Sequence, residues 1–371
     1  MIIAINYIRF LKQAGHDYFY DYLVKTATFQ TDHQFVFIGN RPVEADTLPV
    51  KNIVHVNAAP KANNRLMWKF WLDFTLPAIA GKHKADVLLH TDGVCSLRTK
   101  IAQCIFIHDL SVISHPAFFS KSVHSFFKKN MPAFLEKANT IFTGSDFLAK
   151  EIIQRYSKIN TGKIQKLQLP IAELFRPVEW EEKESIKEKY ADGKEYFFFN
   201  GEIHSRYRLV NLLKAFSFFK KRQKSNMQLI IASPMVPAKD SFMENLKTYK
   251  YRKEVSVLMD VPAKDLAKIT AAAYAFVYPC LYDGLAVFPL QAMQCEVPVI
   301  AGISGAFNEI AGDAALYADP ENFEDIAQKM MLVFKDESHR SELINGGRSI
   351  IQKRHEMIVE EQLWKTILRG K

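Results

Sequence analysis

Residues 281–300 read LYDGLAVFPLQAMQCEVPVI, a loop and a helix held between two apolar runs, with polar groups at fixed spacing. Asp283 opens the loop, and Gln291 lies eight positions further on, inside the helix that follows. Gly284 lets the backbone bend where a side chain would block a close ligand, and the first turn of a helix presents amides that have no partner within the helix. The amides around Ala286 to Phe288 therefore make a seat for an anion, above all a phosphate. A carboxylate just outside that seat and an amide two turns into the helix are placed to hold hydroxyl groups on either side of it.

Around this segment the second half of the chain alternates apolar runs with helical patterns. The runs are YFFFN (196–200), MQLIIAS (227–233), EVSVLM (254–259), YAFVYP (274–279) and VPVIAG (297–302). Helical patterns fall at WEEKESIKEKY (180–190), VNLLKAFSFFKK (210–221), ENLKTY (244–249) and from Asp265. The first half repeats the alternation, with strands expected at IIAINYI, HQFVFIG, NIVHV, DVLLHT, QCIFIH and TIFTGS, and Ser145 expected to cap the helix FLAKEIIQRY. Strand and helix taking turns is the signature of a parallel sheet covered on both faces. Between the halves, KIQKLQLPIAELFRP (163–177) is bracketed by prolines and has no helical period, which marks a domain boundary. The expected organisation is a doubly wound α/β domain over residues 1–170, a second over 178–350, and a C-terminal helix over 351–371. In open parallel sheets ligands settle beyond the carboxyl ends of strands, where Gly201, Asp283 and Gly302 all fall.

A chain of 371 residues suits two domains. With 48% hydrophobic and 24% charged residues it lies far from the disordered regime, and no apolar run is long enough to cross a membrane. The start, MIIAINYIRFLKQ, is expected to be a first strand rather than a signal peptide. Four cysteines without paired spacing point to a reduced, cytoplasmic setting and away from zinc, and no metal site is expected. A net charge of +9 favours anionic partners, but no zinc-finger spacing or aromatic RNA-binding signature accompanies it, so nucleic acid is not expected. The stretch HSFFKKNMPAFLEK (124–137) mixes basic and aromatic residues, which suggests peripheral contact with an anionic membrane. The competing reading packs those phenylalanines inward and leaves the lysines in water.

Several of these pieces, in this order, resemble the retaining glycosyltransferases of family 4. The elements are IHDL (107–110), GSDFLAKEI (144–152), LPIAELFRP (169–177), NGEIHSRYRLVNLLKAF (200–216), LYDGLAVFPLQAMQCEVPVI and NEIAGDAALYADP (308–320), so the resemblance covers nearly the whole chain. It implies the GT-B architecture, two Rossmann-like domains facing a central cleft, with the C-terminal helix crossing back to the first domain. The implied activity is metal-independent transfer of a sugar, with retention, from a nucleotide diphosphate sugar to a glycan or lipid-linked hydroxyl acceptor, in polysaccharide or glycoconjugate assembly. No cofactor beyond the donor substrate is implied.

The resemblance also assigns residues. Two family glutamates at the donor site correspond to Asp283 and Gln291, with the spacing kept and both identities changed. The family's basic pair for the diphosphate falls on Glu202 and Tyr207, with Arg206 and Arg208 flanking the gap, so an arginine is expected to carry the leaving-group charge. On the acceptor side His108, followed by Asp109, matches the family histidine near the transferred sugar, while His90 and Asp92 end another strand. Gly15, Gly201, Gly284, Leu285, Ala286, Val287 and Glu309 occupy donor-binding positions. The changes at Glu202, Tyr207 and Gln291 keep a second reading open, a degenerate member that binds nucleotide-sugar or glycan as a partner or scaffold.

Overall fold

The computed structural model describes residues 1–7, 16–39, 51–58, 65–234, 241–303, 305–357 and 362–369. The chain divides into two units, Met1–Leu169 together with Ile358–Lys371, and Pro170–Met357. Among the described residues the first holds seven strands: β1 (Ile2–Asn6), β2 (Gln34–Gly39), β3 (Ile53–Asn57), β4 (Val87–His90), β5 (Ala102–Ile107), β6 (Thr140–Thr143) and β7 (Ile164–Lys166). They pair in the order β3-β2-β1-β4-β5-β6-β7, every pair parallel. The second holds β8 (Tyr196–Asn200), β9 (Gln228–Ser233), β10 (Val255–Met259), β11 (Ala275–Tyr278), β12 (Val299–Gly302) and β13 (Leu316–Ala318). Its order, β10-β9-β8-β11-β12-β13, is again wholly parallel.

The composition of the strands explains this. β1, β5 and β8 are built mainly of Ile, Phe and Ala and are buried on both faces, which a sheet with helices on either side satisfies. The weak strands sit where covering matters least. β7 and β13 have three residues each and lie at sheet edges, and β7 occupies part of the stretch that the sequence presents as a bare connection. Helix Phe323–Lys335 likewise goes unread in the sequence; Asn322 caps it, accepting from the Glu324 and Asp325 amides. Ser145 caps helix Asp146–Arg155 by accepting from Leu148 N at 3.2 Å.

Among the described residues the chain end carries two helices. Glu337–Met357 belongs to the second unit, and Gln362–Arg369 to the first, where Trp364 sets its ring 4.8 Å from that of Phe35 on β2. Helix Lys121–Lys137 buries Phe126, Phe127, Met131 and Phe134. Its aromatics therefore serve the core, and the expectation of membrane contact through them does not hold for this helix.

Candidate functional site

In a sheet ordered this way the chain reverses its direction of winding between β8 and β11, and the loops leaving those strands diverge to open a crevice. β8 ends at Asn200, and Gly201 follows with a φ of +157°. A Cβ there would lie 2.9 Å from the Phe199 ring, so glycine suits this departure from the strand. The loop then passes His204, whose Nδ1 accepts from Arg206 N at 3.2 Å, and reaches helix Leu209–Gln223 through Arg208 in the left-handed region (φ 46°). It is joined to the loop beyond β11 by Leu281 N donating to the Arg206 carbonyl at 2.9 Å. Arg206 and the 281–287 segment are thus brought together by the backbone itself.

Asp283 builds that second loop. Its Oδ1 accepts from Leu285 N and Ala286 N, both at 3.0 Å, and its carbonyl accepts from Ala306 N at 2.8 Å. Ala286 takes a left-handed φ of 60° and starts helix Val287–Gln294. Two of the amides that the sequence offers to an anion are therefore bonded to Asp283. The amides of Val287 and Phe288, in the first turn, have no acceptor within the helix. Gln291 follows one turn on, 7% exposed, and its Oε1 has no hydrogen-bond partner among the described residues. A buried amide oxygen in that condition costs about 1–3 kcal/mol until a donor arrives, and a ligand hydroxyl is such a donor.

The two arginines part company. Arg206 is 7% exposed, with its guanidinium 5.6 Å from the centre of the Tyr207 ring. Arg208 Nε donates to Glu321 at 2.9 Å, a second nitrogen pairs with the same carboxylate, and Nη1 donates to the Ser205 carbonyl at 2.9 Å. Tyr207 stands where the family carries lysine, yet it is buried between Phe199 and Tyr278, each 5.5 Å away ring to ring. It is a core aromatic beneath the loop. Burial pushes the hydroxyls of Tyr207 and Tyr278 far up, with Asp283 adding to the effect and Arg206 opposing it. Both phenols stay neutral, so the charge at this end of the sheet comes from Arg206, Asp283 and the half-buried Glu202. Glu309 is exposed on helix Ala306–Ala311.

In the first unit His108 directly follows β5 and is buried, its Nε2 donating to the Thr91 carbonyl at 2.8 Å and its ring 4.4 Å from that of Phe106. That bond places the acceptor nitrogen at Nδ1. His90 is wholly buried and pairs with Gln103 Oε1 at 2.9 Å and Asn6 Nδ2 at 3.4 Å. Burial lowers its pKa to about 4, so it is a neutral internal strut rather than an acceptor contact. Asp92 lies at the same strand end, 9% exposed. Gly15 lies outside the described residues. Two contributors go unread in the sequence: Glu321, which fixes Arg208, and Gly305 (φ +107°), whose missing Cβ would lie 2.7 Å from the Asp283 carbonyl. The only trace of the latter is a glycine after VPVIAG, where a turn needs one.

Two Rossmann-ordered parallel sheets, the second with a helix start at its switch point, make the GT-B fold. Residues 181–350, within the second unit, match the family described as "Glycosyl transferases group 1". Among curated proteins the chain is 27% identical over 234 residues to O-antigen chain mannosyltransferase B of Escherichia coli, covering 63% of this chain and 61% of that protein. The chain spans from 26% to 61% of the lengths of the first curated relatives it matches. Among solved structures, sucrose-phosphate synthase from Thermosynechococcus elongatus superposes with a TM-score of 0.77 at 15% identity, covering all of both chains. Anabaena Alr3699/HepE, solved with UDP and glucose, does so with a TM-score of 0.76 at 13% identity, again over both chains entire.

Proposed function

We propose that this protein is a glycosyltransferase of polysaccharide or glycoconjugate assembly, moving a sugar from a nucleotide diphosphate sugar to a hydroxyl acceptor with retention at the anomeric carbon. The observation that carries this reading is the convergence, at one switch point, of a buried arginine, a first helical turn with unpaired amides, and a buried glutamine whose oxygen lacks a donor. The diphosphate rests on the Val287 and Phe288 amides beside Arg206. Gln291 accepts from a nucleotide hydroxyl, and the second Asp283 oxygen from a sugar hydroxyl. The bond between the anomeric carbon and the diphosphate oxygen breaks with its electrons leaving on phosphate. The acceptor oxygen bonds to the same face of that carbon, and its proton passes to the departing phosphate. Arg206 supplies the positive charge in place of a metal ion, which suits a bidentate guanidinium. The first unit takes the acceptor, with His108 near the transferred sugar. The acceptor is a glycan or a lipid-linked one, and the chain works in the cytoplasm with peripheral contact to an anionic membrane. That no helix among the described residues can cross a membrane is compatible with this placement.

A second reading is favoured by Tyr207 and Arg208. One family cation has become a buried aromatic, and a flanking arginine is tied to Glu321, as a degenerate binder would tolerate. A thermal-shift screen of UDP-, GDP- and ADP-sugars, followed by hydrolysis and transfer assays on each hit, separates the two. Stabilisation with turnover supports the transferase, stabilisation alone supports the binder, and no stabilisation removes both.

A further inference from the structure

The second unit carries another charged surface, away from the Gly201–Asp283 site, that sugar transfer does not use. Between Glu202 and Asp240 the chain has no carboxylate and eight lysines and arginines. Lys221, Arg222 and Lys224 cluster, exposed, at the C-terminal end of helix Leu209–Gln223. The turn ahead of β10 adds Lys250, Arg252 and Lys253, also exposed. The two clusters adjoin: Lys220 pairs with Glu254, and Ser217 Oγ donates to the Tyr249 hydroxyl at 2.9 Å. None of these six exposed cations forms an ion pair among the described residues. The turns holding most of them lead into the amino ends of β9 and β10, opposite the carboxyl ends where the candidate site lies.

A helix C-terminus attracts cations, but within its own last turn only, and this covers at most the helix cluster. The surface is also amphipathic. Beside the cations runs a groove of about 380 Å³ floored by Leu213, Phe218, Tyr249 and Phe323 and rimmed by Lys214 and Lys221. Arg222 lies 5.3 Å over the Phe218 ring and Lys250 lies 5.1 Å over that of Tyr251. Rings already covered by their own cations are poor platforms for stacking bases, which argues against single-stranded nucleic acid. Unpaired cations on long apolar stems, interleaved with half-buried aromatics around an apolar groove, suit the boundary between phosphate headgroups and acyl chains.

We propose that this face of the second unit docks on an anionic phospholipid surface. The proposal rests on the peripheral-membrane part of the reading above and moves that contact from helix Lys121–Lys137 to the Lys221 and Lys250 clusters. It is tested by co-sedimenting the full chain with vesicles of phosphatidylcholine alone and of phosphatidylcholine with phosphatidylglycerol. The variants are K221Q/R222Q/K224Q, K250Q/R252Q/K253Q and, on the first unit, K128Q/K129Q. The unaltered chain is expected to pellet only with the anionic vesicles and to be released by salt. Each triple variant should weaken partition by on the order of a hundredfold, about fivefold per cation, while K128Q/K129Q leaves it unchanged. All should keep their melting temperature and nucleotide-induced shift. Triple variants that bind as well as the unaltered chain overturn the proposal, and loss confined to K128Q/K129Q returns the contact to the first unit. Failure of the unaltered chain to pellet removes membrane contact altogether and leaves the nucleotide screen to decide sugar transfer. A gel shift with RNA in place of vesicle binding makes the surface a nucleic-acid site.

Discussion

At the scale of single residues the weight falls on Arg206. Spacing alone makes Arg206 and Arg208 equivalent, since both flank the position that carries lysine in the family. Burial and a distant carboxylate separate them: Glu321, more than a hundred positions along the chain, holds Arg208, and no local reading could pair the two. Substituting Arg206 with Ala should lower kcat by about 10²–10³, the loss usual for one group stabilising a departing charge. R208A, which removes a guanidinium already neutralised, should lower it by less than tenfold. Equal losses would contradict the assignment. His90 sets a limit of another kind. Its folded-state pKa of about 4 lies below the ordinary 6.5, so the unfolded chain binds the proton more readily. Stability is then complete above pH 6.5 and falls as pH drops through that value towards 4, by about 2 kcal/mol at pH 5. Urea midpoints at pH 7 and pH 5 measure this, and a neutral replacement such as H90Q should flatten the difference.

At the scale of elements the decisive unit is the loop leaving β11, and it does not stand alone. The Asp283 side chain folds it, and the Gly305 turn beyond β12 presses against its backbone. Gly305→Ala places a methyl group against the Asp283 carbonyl at a φ that side chains rarely adopt, which should cost about 1–3 kcal/mol. Because the strain falls on the anion seat, nucleotide-sugar KM should rise by more than the drop in melting temperature explains. A variant with unchanged KM would show that the loop holds its shape without this support. The strands and most helices were legible because their apolar periods are strong. β7 and β13 were not, since three residues at a sheet edge carry no period. The bonding of Asp283 to the Leu285 and Ala286 amides was equally hidden: an Asp before Gly reads alike as a ligand or as a turn. The structure shows the turn.

At the scale of the whole molecule, the proposed division of labour gives each unit its own ligand. Among the described residues, every group assigned to the diphosphate and nucleotide belongs to Pro170–Met357, and His108 belongs to the other unit. The sequence made that partition legible through its two rounds of strand–helix alternation, and the resemblance implied the return of the C-terminal helix to the first unit, where Trp364 meets Phe35. If the donor is held as proposed, nucleotide binding should slow amide exchange in the segments around Gly201–Leu209 and Leu281–Gln291. The strand ends at His90 and His108 should exchange as before. H108A should correspondingly keep the nucleotide-induced thermal shift while losing transfer, because it alters the acceptor's unit and leaves the donor seat intact. Exchange mass spectrometry on the full chain, with and without UDP and GDP, reads the first half of this expectation, and a transfer assay on H108A reads the second. Loss of the nucleotide shift in H108A would mean that the donor is held by both units, and that the site built on β8 and β11 is only part of it.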